Sequence, residues 1–140
     1  MKFLLILLVL TLALFSCRSQ ELPEAQAAQI ALANIGIIEG QLTYLTREAM
    51  ITPYVVFIEL YRINADGTEL LVASTDFLEE GQVPVHFMLA YNRSLVDSQN
   101  NSYLINARFV SLDGSTSHEA RERLDPFSGQ PLRLLMDRVR

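Results

Sequence analysis

The feature that most constrains this chain is a change of hydrophobic period near residue 35, beyond which apolar side chains recur at every second position. In Val85-His86-Phe87-Met88-Leu89-Ala90-Tyr91-Asn92 the odd-numbered residues are all large and apolar, and His86, Met88, Ala90 and Asn92 fall between them. Only an extended backbone puts residues i, i+2 and i+4 on one face, so this stretch predicts a strand with one side buried. Tyr103, Ile105, Ala107 and Phe109 repeat the pattern, with Asn106 and Arg108 on the opposite face. Residues 38–44 alternate as well, through Ile38, Gly40, Leu42 and Tyr44. Gly40 inside that strand predicts a bulge or the close approach of another backbone.

Residues 53–63 are apolar on both sides. Val55, Phe57, Tyr61 and Ile63 make the denser face, and Val56, Ile58 and Leu60 the other, which predicts a central strand covered twice. Asn64-Ala65-Asp66-Gly67 and Asp113-Gly114 carry hairpin-turn chemistry. Residues 69–77 return as a strand and 79–82 form a loop. Residues 94–102 are polar, with a turn at Asn100-Asn101. Residues 115–124 are polar and read as a strand or a loop. Pro126, Gly129 and Pro131 break the pattern before a last apolar strand over 132–139. Six or seven strands with short turns and no convincing helix predict an all-β domain: an antiparallel β-sandwich of about seven strands, or a small barrel. Phe57, Phe87, Leu89, Ile105 and Phe109 are core candidates, each worth ~1.5–3 kcal/mol on burial before entropy is counted.

Ahead of the strands lies a different kind of sequence. Residues 3–15 are almost wholly apolar, after Lys2, and Cys17 follows with only Ser16 between. The run falls short of the roughly 20 residues a membrane-spanning helix needs, and its brevity and its basic start are signal-peptide features. Leu14-Phe15-Ser16-Cys17 resembles a bacterial lipobox, with an aliphatic residue three before the cysteine and a small one just before it; Phe15 is bulkier than usual there. The resemblance implies cleavage before Cys17 and acylation of its sulfur and new amino group. Arg18, where an aspartate would hold a lipoprotein in the inner membrane, implies an outer-membrane address on the periplasmic face. Residues 23–34 are alanine-rich and read as a short helix or a flexible spacer. The organisation expected is thus a signal peptide at 1–16, a lipidated N-terminus and linker at 17–36, and the sandwich at 37–140.

Composition sets limits on function. The net charge is −5, and removal of Lys2 makes it one unit more negative, so the chain has no electrostatic reason to bind nucleic acid or an anionic membrane surface. Cys17 is the one cysteine; once acylated it offers no thiol, so the domain is held by its core without a disulfide.

Chemistry-bearing motifs are sparse. His118-Glu119 begins like a zinc-protease helix motif, but Glu122 stands where the second histidine belongs and His86 is far off in sequence, so no metal site is predicted. Asp113, Ser115, Ser117 and His118 hold the atoms of a triad, yet they crowd one turn, where a triad gathers residues from separate elements around an oxyanion hole. A hydrolase using His118 is the enzymatic alternative; a polar hairpin tip is the favoured reading. No enzyme activity, cofactor or small-molecule substrate is expected.

The stretch 81–92, Gly-Gln-Val-Pro-Val-His-Phe-Met-Leu-Ala-Tyr-Asn, followed by Tyr103-Leu104-Ile105-Asn106-Ala107-Arg108-Phe109 and the Asp113-Gly114 turn, resembles the YbaY/YscW lipoprotein family. Gly40 and Tyr44 match that family's early Gly-x-x-x-Tyr. Met50-Ile51-Thr52-Pro53 departs from it, with one proline where members often carry two. The resemblance implies a β-sandwich and the role of a type III secretion pilotin, an outer-membrane lipoprotein that binds the C-terminal tail of a secretin subunit and helps the ring assemble. The alternative within the same fold is a general envelope lipoprotein without a secretin partner. A pilotin needs a groove or a free sheet edge for its peptide. Candidate groove residues are Val56, Ile58 and Leu60, and Leu132, Leu134 and Met136, each also readable as ordinary core; residues 115–122 are a candidate exposed edge strand.

The anchor reading predicts that Cys17→Ser leaves a folded protein soluble in the periplasm. Fractionation of cells expressing it checks this, and retention in the membrane fraction would sink the lipobox reading.

Overall fold

A computed structural model describes residues 32–45, 49–96 and 102–139. The chain divides into two units, Met1–Ala33 and Asn34–Arg140. Of the first, the described residues Leu32 and Ala33 are helical; Cys17, the expected anchor and the expected linker up to residue 31 lie outside the described residues, while Ile35 and Gly36, at the end of that linker, already belong to the first strand. All the strands belong to the second unit.

Its elements are β1 (Ile35–Thr43), β2 (Tyr54–Ile63), β3 (Glu69–Glu79), β4 (Val85–Asn92), a 3-10 turn (Arg93–Leu95), β5 (Ser102–Ser111), β6 (Thr116–Leu124), β7 (Leu132–Leu135) and β8 (Asp137–Arg138). They form a three-stranded sheet in the order β4-β1-β7 and a five-stranded sheet in the order β3-β2-β5-β6-β8. Both sheets contribute to one apolar core, with Leu42, Phe87 and Leu89 from the small sheet and Ile58, Ile105 and Phe109 from the large one. The fold is therefore a sandwich, antiparallel except that β1 and β7 run parallel.

Period-two reasoning holds best in β4, where burial alternates residue by residue along the whole strand. In β2, where cover on both faces is expected, one face is buried far more completely than the other. Tyr54, Val56, Ile58 and Leu60 are fully buried, and Val55 and Phe57 are only half-buried. β2 sits inside the large sheet, between β3 and β5, and only one of its faces can meet the small sheet. Register decides which: Ile58 lies opposite Ala107 and Leu60 opposite Ile105.

Two elements near the end of the chain also differ from expectation. Thr116–Leu124 form a nine-residue strand, β6, the first of the two readings left open by the sequence; it lies between β5 and β8, and the expected free edge is covered at His118 and Glu119, where β8 pairs with it. The single strand expected over 132–139 is two. β7 belongs to the small sheet and β8 to the large one, and Met136 between them is buried, its N–H donating to the Thr43 carbonyl at 2.7 Å. The chain crosses from one sheet to the other at Met136 and joins them along that side of the sandwich.

The turns are built from local hydrogen bonds. Asp66 Oδ1 accepts from the Thr68 N–H at 2.9 Å and the Thr68 hydroxyl at 2.6 Å. Asp113 does the same with Ser115, at the same two distances. These bonds, side-chain first, hold both carboxyls below the usual range. The glycine after each aspartate has positive φ, +83° at Gly67 and +86° at Gly114, a conformation in which a Cβ is strained.

Gly40 has the other role. The β1–β4 register runs without a bulge, and the glycine makes room for its neighbours. A Cβ there would lie 2.7 Å from the Phe87 ring and 2.9 Å from the Leu132 carbonyl oxygen. At Gly36, directly opposite Tyr91, a Cβ would fall 2.2 Å from the Tyr91 ring. Gly40→Ala is predicted to cost ~1–3 kcal/mol through overpacking, because the clash includes β7 backbone that cannot rotate away. Thermal denaturation checks it against Ser74→Ala on an exposed strand position; equal midpoints for the two variants would contradict the close approach.

Candidate partner-binding surface

The two outer faces of the sandwich differ in kind. On the large sheet Glu59 accepts hydrogen bonds from Asn106 at 3.0 Å and from Arg108 at 3.2 Å. The Arg108 guanidinium lies over the Phe57 ring, 5.4 Å from its centroid, and Arg121 pairs with Glu69. Burial, and then the Glu59 carboxylate, push the Tyr61 phenol up. Much of this face is engaged in its own polar network, although Leu71 and Leu78 of its edge strand β3 are also exposed.

The small sheet gathers exposed apolar side chains beside a groove. Ile35, Ile37, Met88 and Leu135 are exposed on it, Ile37 by 53% and Met88 by 59%. Between β1 at 39–41, β4 at 86–88 and the chain at 131–133 lies a shallow groove of about 450 Å³, with Glu39, His86 and Arg133 among its lining. An exposed sheet face of this kind, apolar with a few charges, has the composition of a protein-docking surface.

Of the groove residues expected from the sequence, Val56, Ile58, Leu60, Leu134 and Met136 are 0–3% exposed and belong to the core. Leu132 is half-buried and lines the groove. Sequence reasoning placed Met88 outward without singling it out; its signal was a large apolar residue at a solvent position of a clean alternation.

Several residues of the 81–108 motif hold β4 in place. Gln82 accepts from the Met50 N–H at 2.9 Å and donates to the Met50 carbonyl at 3.2 Å. The Tyr54 hydroxyl donates to the Gly81 carbonyl at 3.3 Å. At the far end of the strand the Tyr91 hydroxyl donates to the Pro126 carbonyl at 3.1 Å, and Asn92 caps the 3-10 turn by accepting from the Ser94 N–H at 2.9 Å. Ala107 is fully buried, and its neighbour Arg108 reaches Glu59 on the outer face.

The residues with triad chemistry are not arranged as one. The Ser115 hydroxyl is engaged by Asp113 in the turn. His118 is no hairpin-tip residue: it is buried, stacked on Tyr44 with ring centroids 4.8 Å apart, and its Nδ1 lies 3.2 Å from Ser117 Oγ. His86 is exposed on β4. Among the described residues no group of three or more His, Cys, Asp or Glu could hold a metal ion.

The model of the family described as type III secretion system lipoprotein chaperone (YscW) matches residues 33–124. The chain belongs to the YscW family. Its fold is similar to a solved structure, an alternative pilotin from the type II secretion system of Vibrio cholerae, at 26% identity and a TM-score of 0.66, covering 76% of this chain and 98% of that one. No curated protein sequence matches it. The family match of this YscW-family chain takes in β1 to β6 and therefore the whole β4 strand and its supports.

One of those supports titrates. Burial, and then Glu79, push the Tyr54 phenol from 10.0 up to about 12. Its neutral form is favoured by folding, so its contribution is intact below pH 10 and is lost as pH rises toward 12. Denaturant midpoints measured across that window are predicted to fall, and to fall less steeply in Tyr54→Phe. Identical slopes would show that Tyr54 is not a source of the alkaline transition.

Proposed function

We propose that this protein is a pilotin: a lipoprotein anchored through Cys17 on the periplasmic face of the outer membrane, which binds the C-terminal tail of a secretin subunit, brings it to that membrane and aids ring assembly. The observation that carries the reading is the combined match, a lipoprotein-chaperone family across β1 to β6 and the fold of a pilotin over nearly all of that pilotin's length. The physical design supports it. A rigid sandwich presents one outer face already engaged in its own ion pairs and another that is apolar and grooved, which is what a carrier needs to hold a single polypeptide. Firm anchoring takes two or more acyl chains at ~0.8 kcal/mol per buried methylene, and an acylated Cys17 would supply them while leaving the sandwich free.

The decisive experiment is co-purification from outer membranes of cells that express a secretion apparatus, with the intact secretin and with its C-terminal tail deleted. The secretin is expected as the main partner, and the complex is expected to vanish with the tail. A complex indifferent to the deletion would exclude tail recognition. Absence of any secretin would return the protein to a general envelope role.

A further inference from the structure

β4 is an edge strand with an unusual chemistry. Among the described residues β1 is its one neighbour in the small sheet. β3 touches it from the other sheet, where β3 is itself an edge. The Arg93 N–H donates to the Asn34 carbonyl at 2.7 Å. In an antiparallel pair, hydrogen-bonded residue pairs alternate with non-bonded ones. With the register unbroken from Ile35 opposite Asn92 to Leu42 opposite Val85, Val85, Phe87, Leu89 and Tyr91 turn their backbone groups to β1. His86, Met88, Ala90 and Asn92 turn theirs to the open edge.

Exposed edges are normally blunted by charge, proline or a bulge. β3 has Glu69, Asp76 and Glu79 and a register shift against β2 at Leu60/Tyr61. β7 has Arg133, and β8 is the charged pair Asp137 and Arg138. β4 has no lysine, arginine, aspartate, glutamate or proline, and no bulge. It is the one of these edges left ready to pair.

The surroundings select the kind of strand that would pair. β3 and the loop that leads from it into β4 carry four acidic residues, Glu69, Asp76, Glu79 and Glu80, and no lysine or arginine, with Arg93 the nearest cation in sequence, just past the end of β4. A second copy of this chain would bring the same acidic side against itself, with a net charge of −5 on each copy. A basic segment of another protein meets no such repulsion.

We propose that the β4 edge docks an extended, basic segment of a partner protein, which adds to the small sheet as a strand. Main-chain bonds to Met88 and Ala90 give affinity, and alternate side chains of the added strand pack beside Met88 on the apolar outer face. The proposal rests on the pilotin reading for the partner's identity, which makes the segment part of the secretin tail.

The test uses the full-length protein and the secretin subunit from the same cells. Ala90→Pro removes an edge-facing N–H and no bond to β1, a place where a strand tolerates proline. It is expected to keep the thermal midpoint of Ala90→Ser and to weaken secretin binding by about tenfold, for the loss of one or two main-chain bonds. Asp76→Lys with Glu80→Lys is expected to weaken binding further, and added salt to weaken it in the wild type. Should Ala90→Pro fail to fold, amide exchange of the wild type decides: Met88 and Ala90 amides become protected in the complex. Secretin binding unchanged in a folded Ala90→Pro, or unprotected amides in the complex, overturns edge docking and leaves the pilotin reading standing. A wild type that binds no secretin overturns both.

Discussion

The small sheet depends on two close contacts between glycine and aromatic ring. Gly36 and Gly40 lie two pleat repeats apart on β1, directly opposite Tyr91 and Phe87 on β4, and each ring occupies space that a Cβ would fill. The rings thus cover bare backbone, and the glycines let them lie flat enough to be buried themselves. This arrangement fixes register, because a slip of one residue would put a ring over Ile37 or Glu39 and turn every core residue of β4 to solvent. From the same rings follow the outer supports: the Tyr91 hydroxyl, held at that depth, reaches the Pro126 carbonyl, which ties the 125–131 connection to the sheet and sets where β7 begins.

How much of this could be read from the residues depends on whether the determining signal was local. β4 was legible to the residue, since one buried face and one exposed face write a strict alternation. The two Asp-Gly turns were legible because their chemistry is complete within four residues. The inward face of β2 was not: Val55 and Phe57 are as apolar as Val56 and Ile58, and the choice is made by pairing with β5, some fifty positions away in sequence. Phe57 lies outward because Arg108 covers it, a partner that no window around Phe57 contains. His118 was misplaced for a similar reason. Its stretch is polar by composition, yet His118 and Ala120 share the inward face of β6, and the histidine finds an apolar stack with Tyr44.

The candidate surface was the least legible part, and the reason is physical. A sequence marks apolar residues, and most of those are core; of the groove residues nominated from composition all but Leu132 are buried. What distinguishes a docking surface is the exposure of apolar side chains next to unengaged backbone, and exposure is a property of the assembled sheets. Two sheets of unequal width supply it. The five-stranded sheet has enough polar residues in register to satisfy one another across Glu59, Asn106 and Arg108. The three-stranded sheet is too narrow for such a network, and Ile37 and Met88 remain uncovered.

The crossing at Met136 bears on how the molecule reaches its folded state. Gly40 pairs with Leu132 and Thr43 with Leu135, so a strand near the start of the domain is completed by one near its end. Contacts of such long sequence separation are slow to form, and these cannot form at all until the later strand has emerged from whatever channel delivers the chain. The small sheet therefore stays incomplete, with β1 bare along one side, until nearly the whole domain has been made, and its closure is among the last steps of folding.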